Sequence, residues 1–213
     1  MINMQSKRIK AILSLLDEQD NIIDIGCDHA YVAILMAYQG SKKILATDIH
    51  KGALEIAKNN IKKEGLENII QTKLTDGLVG IDTKEYNTLV IAGMGATTII
   101  SILSLKEKLK SIKKIIIQSN NDLDILRKYM VSINYKINKE IVVYEKGHYY
   151  TIIQYEKGKE TLKPYEYLYG KYNKDNKEYY EYLSLKLDEL LAKVPSDANE
   201  KLKREKEYLS HYL

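Results

Sequence analysis

Short apolar strands alternate with helices along most of this chain, and this alternation constrains its fold more than any other feature. The predicted strands cover residues 22–25, 43–47, 69–74, 88–92 and 114–118. The predicted helices cover residues 6–16, 31–38, 51–64, 97–108 and 123–131. Apolar strands separated by helices form a parallel sheet that is covered on both faces. The sequence therefore predicts an α/β fold with a doubly wound sheet.

Two further strands, predicted at residues 136–144 and 149–155, are separated only by Glu145-Lys146-Gly147-His148. Four residues cannot hold a crossover helix, so these strands are expected to form an antiparallel hairpin. A doubly wound sheet closed by such a hairpin is typical of class I, Rossmann-like methyltransferases and much less typical of dehydrogenases.

The loop after the first strand indicates which cofactor this fold binds. It reads Asp24-Ile25-Gly26-Cys27-Asp28-His29-Ala30-Tyr31, and Gly26 allows a tight turn at the carboxyl end of the strand. A dinucleotide fingerprint needs two more glycines, where this loop has Asp28 and Tyr31. A carboxylate there would repel a pyrophosphate, whereas S-adenosylmethionine carries a sulfonium and an ammonium cation. The loop therefore favours S-adenosylmethionine over NAD.

Acidic residues and glycines follow the other strands as well. Asp48 ends the second strand, where such folds place the acid that binds ribose hydroxyls. Asp76-Gly77 follows the third strand and is predicted beside the adenine of the cofactor, although a plain β-turn would have the same sequence. The predicted cofactor-binding residues are Asp24, Gly26, Asp28, His29, Asp48, Asp76, Gly77, Gly93, Met94 and Gly95.

Composition adds weaker constraints. The net charge of +4 in 213 residues is too small to distinguish an ordinary surface from a nucleic-acid footprint. Cys27 is the only cysteine, which excludes an internal disulfide and a cysteine-rich metal site and fits a reducing cytoplasm. No leader or membrane-spanning run is evident. We therefore expect a cytoplasmic protein with no metal and no membrane contact.

Residues 161–213 form a predicted second unit. Leucines at helical spacing from Leu183 to Leu190, continued by Val194, predict one helix, which Pro195-Ser196-Asp197 stops. A second predicted helix places Ala198, Leu202, Leu209 and Tyr212 on one stripe, interrupted by Glu205. These two helices are expected to form an antiparallel, coiled-coil-like hairpin. A packing appendage or a dimer contact is the alternative to an RNA-binding arm. Nine of the 18 tyrosines lie between Tyr165 and Tyr212, and exposed ones among them would be available to stack on bases.

The strand-end motifs also bear on the methyl acceptor. Methyltransferases that act on the exocyclic amine of adenine usually have Asn/Asp-Pro-Pro-aromatic after the fourth strand, and this chain has prolines only at Pro164 and Pro195. A ring nitrogen, an oxygen or a carbon remains as the acceptor.

Five blocks together resemble the TrmK family, the bacterial tRNA adenine N1-methyltransferases that act on position 22. The blocks are Ser6-Lys7-Arg8-Ile9, Asp24 to Tyr31, Asp76-Gly77-Leu78, Ile91-Ala92-Gly93-Met94-Gly95, and Gln118-Ser119-Asn120 followed by Leu126-Arg127. The sequence departs from the family pattern at three positions. Cys27 replaces a serine, Ala96 replaces a glycine and Ser119 replaces a proline, which would leave the backbone before Asn120 freer.

The resemblance implies roles for further residues. Asp28 would stabilise the positive charge on the methylated base or take a proton from its amine, and His29 would orient Asp28 or contact the cofactor. Asn120, the second predicted catalytic residue, and Gln118 would bind an adenine edge. Tyr31 would stack on the flipped adenine. Lys7 and Arg8 would bind the tRNA.

Two alternatives remain open from the sequence. One is a methyltransferase that acts on another RNA or on a small molecule. The other is a protein that binds S-adenosylmethionine or RNA without turnover, although a binder would need neither Asp28 nor Asn120. The oligomeric state is not determined, and a monomer is slightly favoured.

Overall fold

A computed structural model describes residues 6–171, 173–195 and 199–213. Its centre is a seven-stranded sheet with the order β3-β2-β1-β4-β5-β7-β6. The strands are β1 Ile22–Ile25, β2 Ile44–Asp48, β3 Ile70–Leu74, β4 Thr88–Met94, β5 Lys114–Ser119, β6 Tyr135–Glu145 and β7 His148–Lys157. The first five strands pair in parallel, whereas β7 is antiparallel to β5 and to β6. The predicted class I methyltransferase architecture is confirmed.

Helices cover both faces of the sheet and form the C-terminal unit. They are α1 Lys7–Leu13, α2 Tyr31–Tyr38, α3 Lys51–Lys63, α4 Ala96–Leu103, α5 Leu123–Ser132, α6 Pro164–Tyr169, α7 Lys177–Leu191 and α8 Glu200–Leu209. One apolar cluster joins Ile23, Leu89 and Ile117 of the sheet to α4 and α5. A second cluster, on the other face, joins Ile22 and Ile116 to α1, α2 and α3.

Several predicted boundaries differ from the structure. The helix predicted at 97–108 ends at Leu103, because Leu105 has non-helical dihedral angles, and a short 3₁₀ turn follows at Lys106–Leu109. Strand β6 begins at Tyr135 and has an irregularity between Ile137 and Lys139. Helix α6 was not predicted, since its six residues are too short for helical periodicity to be visible.

The C-terminal helices α7 and α8 pack around Tyr180, Leu187, Leu209 and Tyr212. Leu187 is the last buried residue of α7, and the predicted stripe residue Leu190, one turn further along, is exposed. The predicted cap at Ser196-Asp197 and the stripe position Ala198 lie outside the described residues. Within the described part of the chain, no helix is long and apolar enough to cross a membrane.

A buried ion pair fastens the C-terminal unit to the sheet domain. The Arg127 guanidinium donates to Glu140 Oε1 at 2.8 and 3.1 Å and to the carbonyl oxygens of Tyr167 and Leu168 at 2.9 and 3.0 Å. The other carboxylate oxygen, Glu140 Oε2, accepts from the Lys171 backbone N–H at 2.9 Å.

The predicted division between residues 160 and 161 falls within this joint. Leu162 is only 5% exposed and belongs to the apolar cluster of α4 and α5. A domain of residues 1–160 and an arm of residues 161–213 thus remain a prediction, and a cut between them would divide one packed core.

Candidate functional site

The site is a cavity of about 860 Å³ at the carboxyl edge of the parallel strands. Its size is that of a pocket for a cofactor-sized molecule. Twelve of the predicted site residues line it, namely Arg8, Asp24, Gly26, Asp28, His29, Tyr31, Asp48, Asp76, Gly77, Gly93, Met94 and Asn120. Lys7, Gly95 and Gln118 are not among its lining residues.

The loop after β1 forms one wall and is held by its backbone. Gly26 has φ +74°, and its N–H and that of Cys27 donate to the Thr47 carbonyl oxygen at 2.8 and 2.9 Å. A side chain at Gly26 would collide with the terminal methyl group of Met94. The left-handed backbone is the main reason for glycine at this position, since the flexible Met94 side chain could move aside.

Asp48 ties the loop after β1 to the loop after β2. Its side chain is 8% exposed, with Oδ2 accepting from the Asp28 N–H at 3.2 Å and Oδ1 from the His50 N–H at 2.8 Å. His50 Nδ1 also lies 3.3 Å from Asp48 Oδ1. The predicted ribose acceptor thus also positions the backbone of Asp28.

Asp24 lies at the floor of the cavity and is 5% exposed. Burial raises the pKa of its carboxyl to about 7, the nearby Asp48 carboxylate adds to the rise, and the Ala33 N–H opposes it. A cation bound in this part of the cavity would favour the ionised form of Asp24.

Asp28 stands at the mouth of the cavity with its side chain 68% exposed. Its φ of +47° is a left-handed conformation that aspartate and asparagine tolerate better than most residues. His29 Nε2 lies 3.6 Å from Asp28 Oδ2, and the His29 ring stacks on Tyr31 with centroids 5.2 Å apart. The carboxylate is therefore accessible to a ligand, and an imidazole lies beside it.

Asp76 and Gly77 lie at the end of β3, on the same edge. Asp76 is exposed, while Gly77 is buried with φ +53° and approaches the side chain of Ile102 in α4. This close approach requires the glycine, and it leaves the Asp76 side chain open to the cavity.

The end of β4 fixes the position of Asn120, which directly follows β5. Gly93 has φ +81° at an irregularity in the pairing of β4 with β5. Asn120 donates from its backbone N–H to the Met94 carbonyl oxygen at 2.9 Å and from Nδ2 to the Gly93 carbonyl oxygen at 2.8 Å. Gly95, which caps α4, lies against Asn121.

Gln118 lies behind Asn120 and is fully buried. Arg8 Nη1 lies 3.3 Å from Gln118 Oε1, and Gln118 Nε2 lies 3.0 Å from Asn120 Oδ1. In contrast to the predicted base contact, the buried Gln118 side chain has no surface for a base and contacts Asn120 instead. Arg8, which is predicted to bind the tRNA, lines the cavity, where its guanidinium contacts Gln118 and lies 5.2 Å from the Tyr150 ring centroid.

The tip of the β6–β7 hairpin forms a wall that the sequence analysis missed. Glu145, Lys146 and Tyr150 line the cavity. Glu145 accepts from the Ser6 hydroxyl and from the Lys7 backbone N–H, both at 3.1 Å, and so fastens the hairpin to α1. The antiparallel pairing of β7 with β5 could have indicated this position, since it directs the hairpin tip to the carboxyl edge.

The three departures from the family pattern are accommodated. The Ser119 hydroxyl donates toward the Asn121 carbonyl oxygen at 2.8 Å and lies 3.3 Å from that of Met94, so the side chain of Ser119 links this segment to the end of β4. Cys27 packs in the α2 side of the core, and burial raises the pKa of its thiol. Ala96 is buried at the start of α4.

The described residues contain no group of three or more His, Cys, Asp or Glu side chains that could hold a metal ion. Carboxylate, amide and aromatic side chains are among the groups that line the cavity.

Comparison with known proteins assigns the family. A methyltransferase-domain model matches residues 5–153. The tRNA (adenine(22)-N(1))-methyltransferase of Bacillus subtilis (strain 168) is 31% identical over 156 residues, which are 72% of this chain and 65% of that protein. The structure of M. capricolum TrmK in complex with S-adenosyl-homocysteine is 31% identical and superposes with a TM-score of 0.85 over 98% of this chain and 97% of that one. The chain belongs to the TrmK family.

A further TrmK-like structure extends the comparison. Sp1610 of Streptococcus pneumoniae, in complex with S-adenosyl-L-methionine, is 27% identical with a TM-score of 0.88, covering 99% of this chain and all of that one. The likeness to solved structures therefore includes the C-terminal helices, whereas the match to the Bacillus subtilis sequence stops at 72% of this chain.

Proposed function

We propose that this protein transfers a methyl group from S-adenosylmethionine to N1 of the adenine at position 22 of tRNA. The observation that carries the proposal is the juxtaposition, in one cavity, of a glycine-lined loop with buried acids and of the accessible Asp28 and Asn120. The TrmK-family relatives described above support the substrate and the cofactor.

The residues of the loops after β1, β2 and β3 fit the cofactor. Gly26 and Gly77 keep the cavity open to ligand atoms near the backbone, and Asp48 offers carboxylate oxygens to ribose hydroxyls. The buried Asp24 carboxylate would stabilise the ammonium group of the cofactor. The ammonium group would in turn lower the pKa of the Asp24 carboxyl. S-adenosylmethionine supplies an activated methyl group and leaves as S-adenosylhomocysteine.

The chemistry required of the protein is mostly positioning. The N1 lone pair forms the new bond to carbon as the carbon–sulfur bond breaks, so the two centres must be held in line. The adenine then carries the positive charge. The Asp28 carboxylate, at the mouth of the cavity, stabilises this charge and can accept a proton from the exocyclic amine.

Asn120 and Tyr31 would hold the base. The Asn120 amide is fixed by its bonds to Gly93 and Gln118 and offers its remaining hydrogen-bonding capacity to an adenine edge. Tyr31, stacked on His29, offers a ring face to an adenine that has been flipped out of the folded RNA.

Contacts outside the cavity would supply most of the tRNA affinity. Lys7 is exposed at the start of α1, and the C-terminal helices carry further lysines. We infer that these helices bind tRNA, and that the protein acts as a monomer in the cytoplasm, where its substrate is found.

The deciding experiment uses labelled S-adenosylmethionine and unmodified bacterial tRNA, followed by mapping of the labelled nucleotide. We expect 1-methyladenine at position 22 and no label in a transcript with guanine at that position. Label at another nucleotide, or none with an active tRNA preparation, would contradict the proposal.

A further inference from the structure

The β6–β7 hairpin separates the cavity from the C-terminal helices, and its two faces carry different residues. Tyr150 and Glu145 lie on the face that meets α1 and lines the cavity. Tyr144 and Tyr149 are register partners, and Tyr149 contacts α7. The hairpin therefore forms a surface path from the cavity to the helical arm.

Three tyrosines form a continuous aromatic surface on this path. The Tyr149 ring centroid lies 4.8 Å from that of Tyr144 and 4.8 Å from that of Tyr182 in α7. Tyr144 is 51% exposed and Tyr182 is 37% exposed. We call Tyr144, Tyr149 and Tyr182 the tyrosine strip.

The exposure of the strip sets it apart from the other tyrosines of the C-terminal unit. Among the described tyrosines between residues 165 and 212, Tyr182 alone is exposed, whereas the rings around Tyr180 and Tyr212 pack in the core of the arm. Packing in the core explains the presence of these buried rings. It does not account for two rings with a third to a half of their surface in water.

Charges around the strip favour an anionic polymer with aromatic bases. Lys186 Nζ lies 5.3 Å from the Tyr182 ring centroid at one end, and the exposed Lys146 occupies the hairpin turn at the other. Glu178 lies near Tyr149, in the middle of the strip. Phosphates would be accommodated at the two ends, and uncharged bases over the rings.

We propose that the tyrosine strip is an RNA-binding surface on which nucleotides next to the target adenine stack. This inference rests on the proposed function and deepens it. Base stacking on aromatic side chains tolerates any sequence, because every base has a π-face. The strip continues to the cavity through Lys146 and Glu145, and this favours RNA over a protein partner, since an adenine in the cavity would lie against the same hairpin that carries the strip.

The test separates stacking from packing. Tyr144→Leu and Tyr182→Leu keep apolar bulk but remove the aromatic face, whereas Tyr144→Phe and Tyr182→Phe keep it. Tyr38→Leu is the matched control, because Tyr38 is 55% exposed on α2, which does not contribute to the strip. Binding of unmodified tRNA is measured by filter retention at one fixed salt concentration, together with S-adenosylmethionine binding and thermal unfolding.

We expect each leucine variant to bind tRNA about 5- to 100-fold more weakly, the range typical of one lost base stack. The phenylalanine variants and Tyr38→Leu should bind as the wild type does, and cofactor affinity and unfolding temperature should not change. Leucine variants that bind tRNA like the wild type, or phenylalanine variants that lose as much affinity as the leucine variants, would overturn the proposal.

The two proposals fail separately. A wild-type protein that binds tRNA through the strip but labels no adenine at position 22 would contradict the proposed reaction alone. If the wild type methylates that adenine and the leucine variants bind tRNA with unchanged affinity, the proposal for the strip alone is contradicted.

Discussion

Gln118 Nε2 lies 3.0 Å from Asn120 Oδ1, and this contact fixes which atom of the Asn120 amide points where. Arg8 can only donate, so the oxygen of the Gln118 amide faces Arg8 and its nitrogen faces Asn120. Asn120 must then accept through Oδ1 and donate through Nδ2 to Gly93. A side chain fully removed from the cavity thus sets the hydrogen-bonding pattern that the cavity presents.

Replacing Gln118 by glutamate should disturb this pattern without removing the acceptor for Arg8. A carboxylate oxygen would face Asn120 Oδ1, and the amide would rotate away from Gly93. We expect single-turnover methylation to fall about 5- to 100-fold, which corresponds to about 1–3 kcal/mol for a mispaired buried group. S-adenosylmethionine affinity should not change.

Two comparisons make the Gln118 prediction specific. Gln71→Glu, at an exposed position of the edge strand β3, should have no effect. In combination with Asn120→Ala, Gln118→Glu should add no further loss, because both changes act through one amide. Additive losses in the double variant would show that Gln118 does not act through Asn120.

Asp28→Asn should separate chemistry from structure. Asparagine also tolerates the left-handed backbone at this position, so the loop and its bond to Asp48 should persist. We expect unchanged tRNA affinity and a single-turnover rate that is reduced about 100-fold or more, because the charge that stabilises the methylated base is lost. An unchanged rate at saturating substrates would assign Asp28 to structure or cofactor binding only.

Asp48→Ala should weaken cofactor binding. The carboxylate holds the backbone N–H groups of Asp28 and His50 and is the predicted ribose acceptor. We expect S-adenosylmethionine affinity to fall by about 1–3 kcal/mol, measured by calorimetry. NAD should not bind to the wild type, and NAD affinity equal to that of S-adenosylmethionine would contradict the cofactor assignment.

The raised pKa of Asp24, about 7 against an ordinary 3.8, predicts a pH dependence of cofactor binding. If the ammonium group of the cofactor pairs with the ionised carboxyl, affinity should fall by up to about tenfold per pH unit below pH 7. Asp24→Asn should weaken binding at pH 8 and abolish this dependence. A pH-independent wild-type affinity between pH 6 and 8 would exclude this pairing.

Asp24 should also affect stability. Between about pH 4 and pH 7 the folded protein keeps a proton on Asp24 that the unfolded chain has lost. The free energy of unfolding should therefore decrease as the pH rises through this range and level off above pH 7. Asp24→Asn should lack this decrease, which denaturant titrations at several pH values would detect.

Truncation should have different consequences at two positions. Removal of all residues after Glu160 deletes Leu162 from the sheet domain and two carbonyl acceptors of Arg127, so unfolding should become easier by about 3 kcal/mol or more. Removal after Lys174 keeps both and should leave a folded domain that binds cofactor but has greatly reduced tRNA binding. If the longer fragment methylates subsaturating tRNA as fast as the full-length protein does, the arm has a structural role.

The strands and the loops after β1, β2 and β4 were predictable, because the apolar runs, glycines and acidic residues that form them lie close together in the sequence. Gly26, Asp48 and Gly93 follow from the rule that parallel strands meet ligands at their carboxyl ends. The burial of Gln118 and the engagement of Arg8 were not predictable, since their contact joins residues 110 positions apart. The contribution of Tyr150 depends likewise on how the hairpin packs against α1.

The arm meets the buried pair of Arg127 and Glu140 through backbone atoms, the carbonyl oxygens of Tyr167 and Leu168 and the N–H of Lys171. A related protein with a neutral residue at only one of these positions would leave one buried charge without compensation. The loss of stability would exceed the stability that the pair itself contributes. Positions 127 and 140 are thus free to vary only in concert. A chimaera that takes a foreign arm keeps both side chains, because Arg127 lies in α5 and Glu140 in β6, and the new arm has to supply the backbone acceptors and donor at residues 167, 168 and 171.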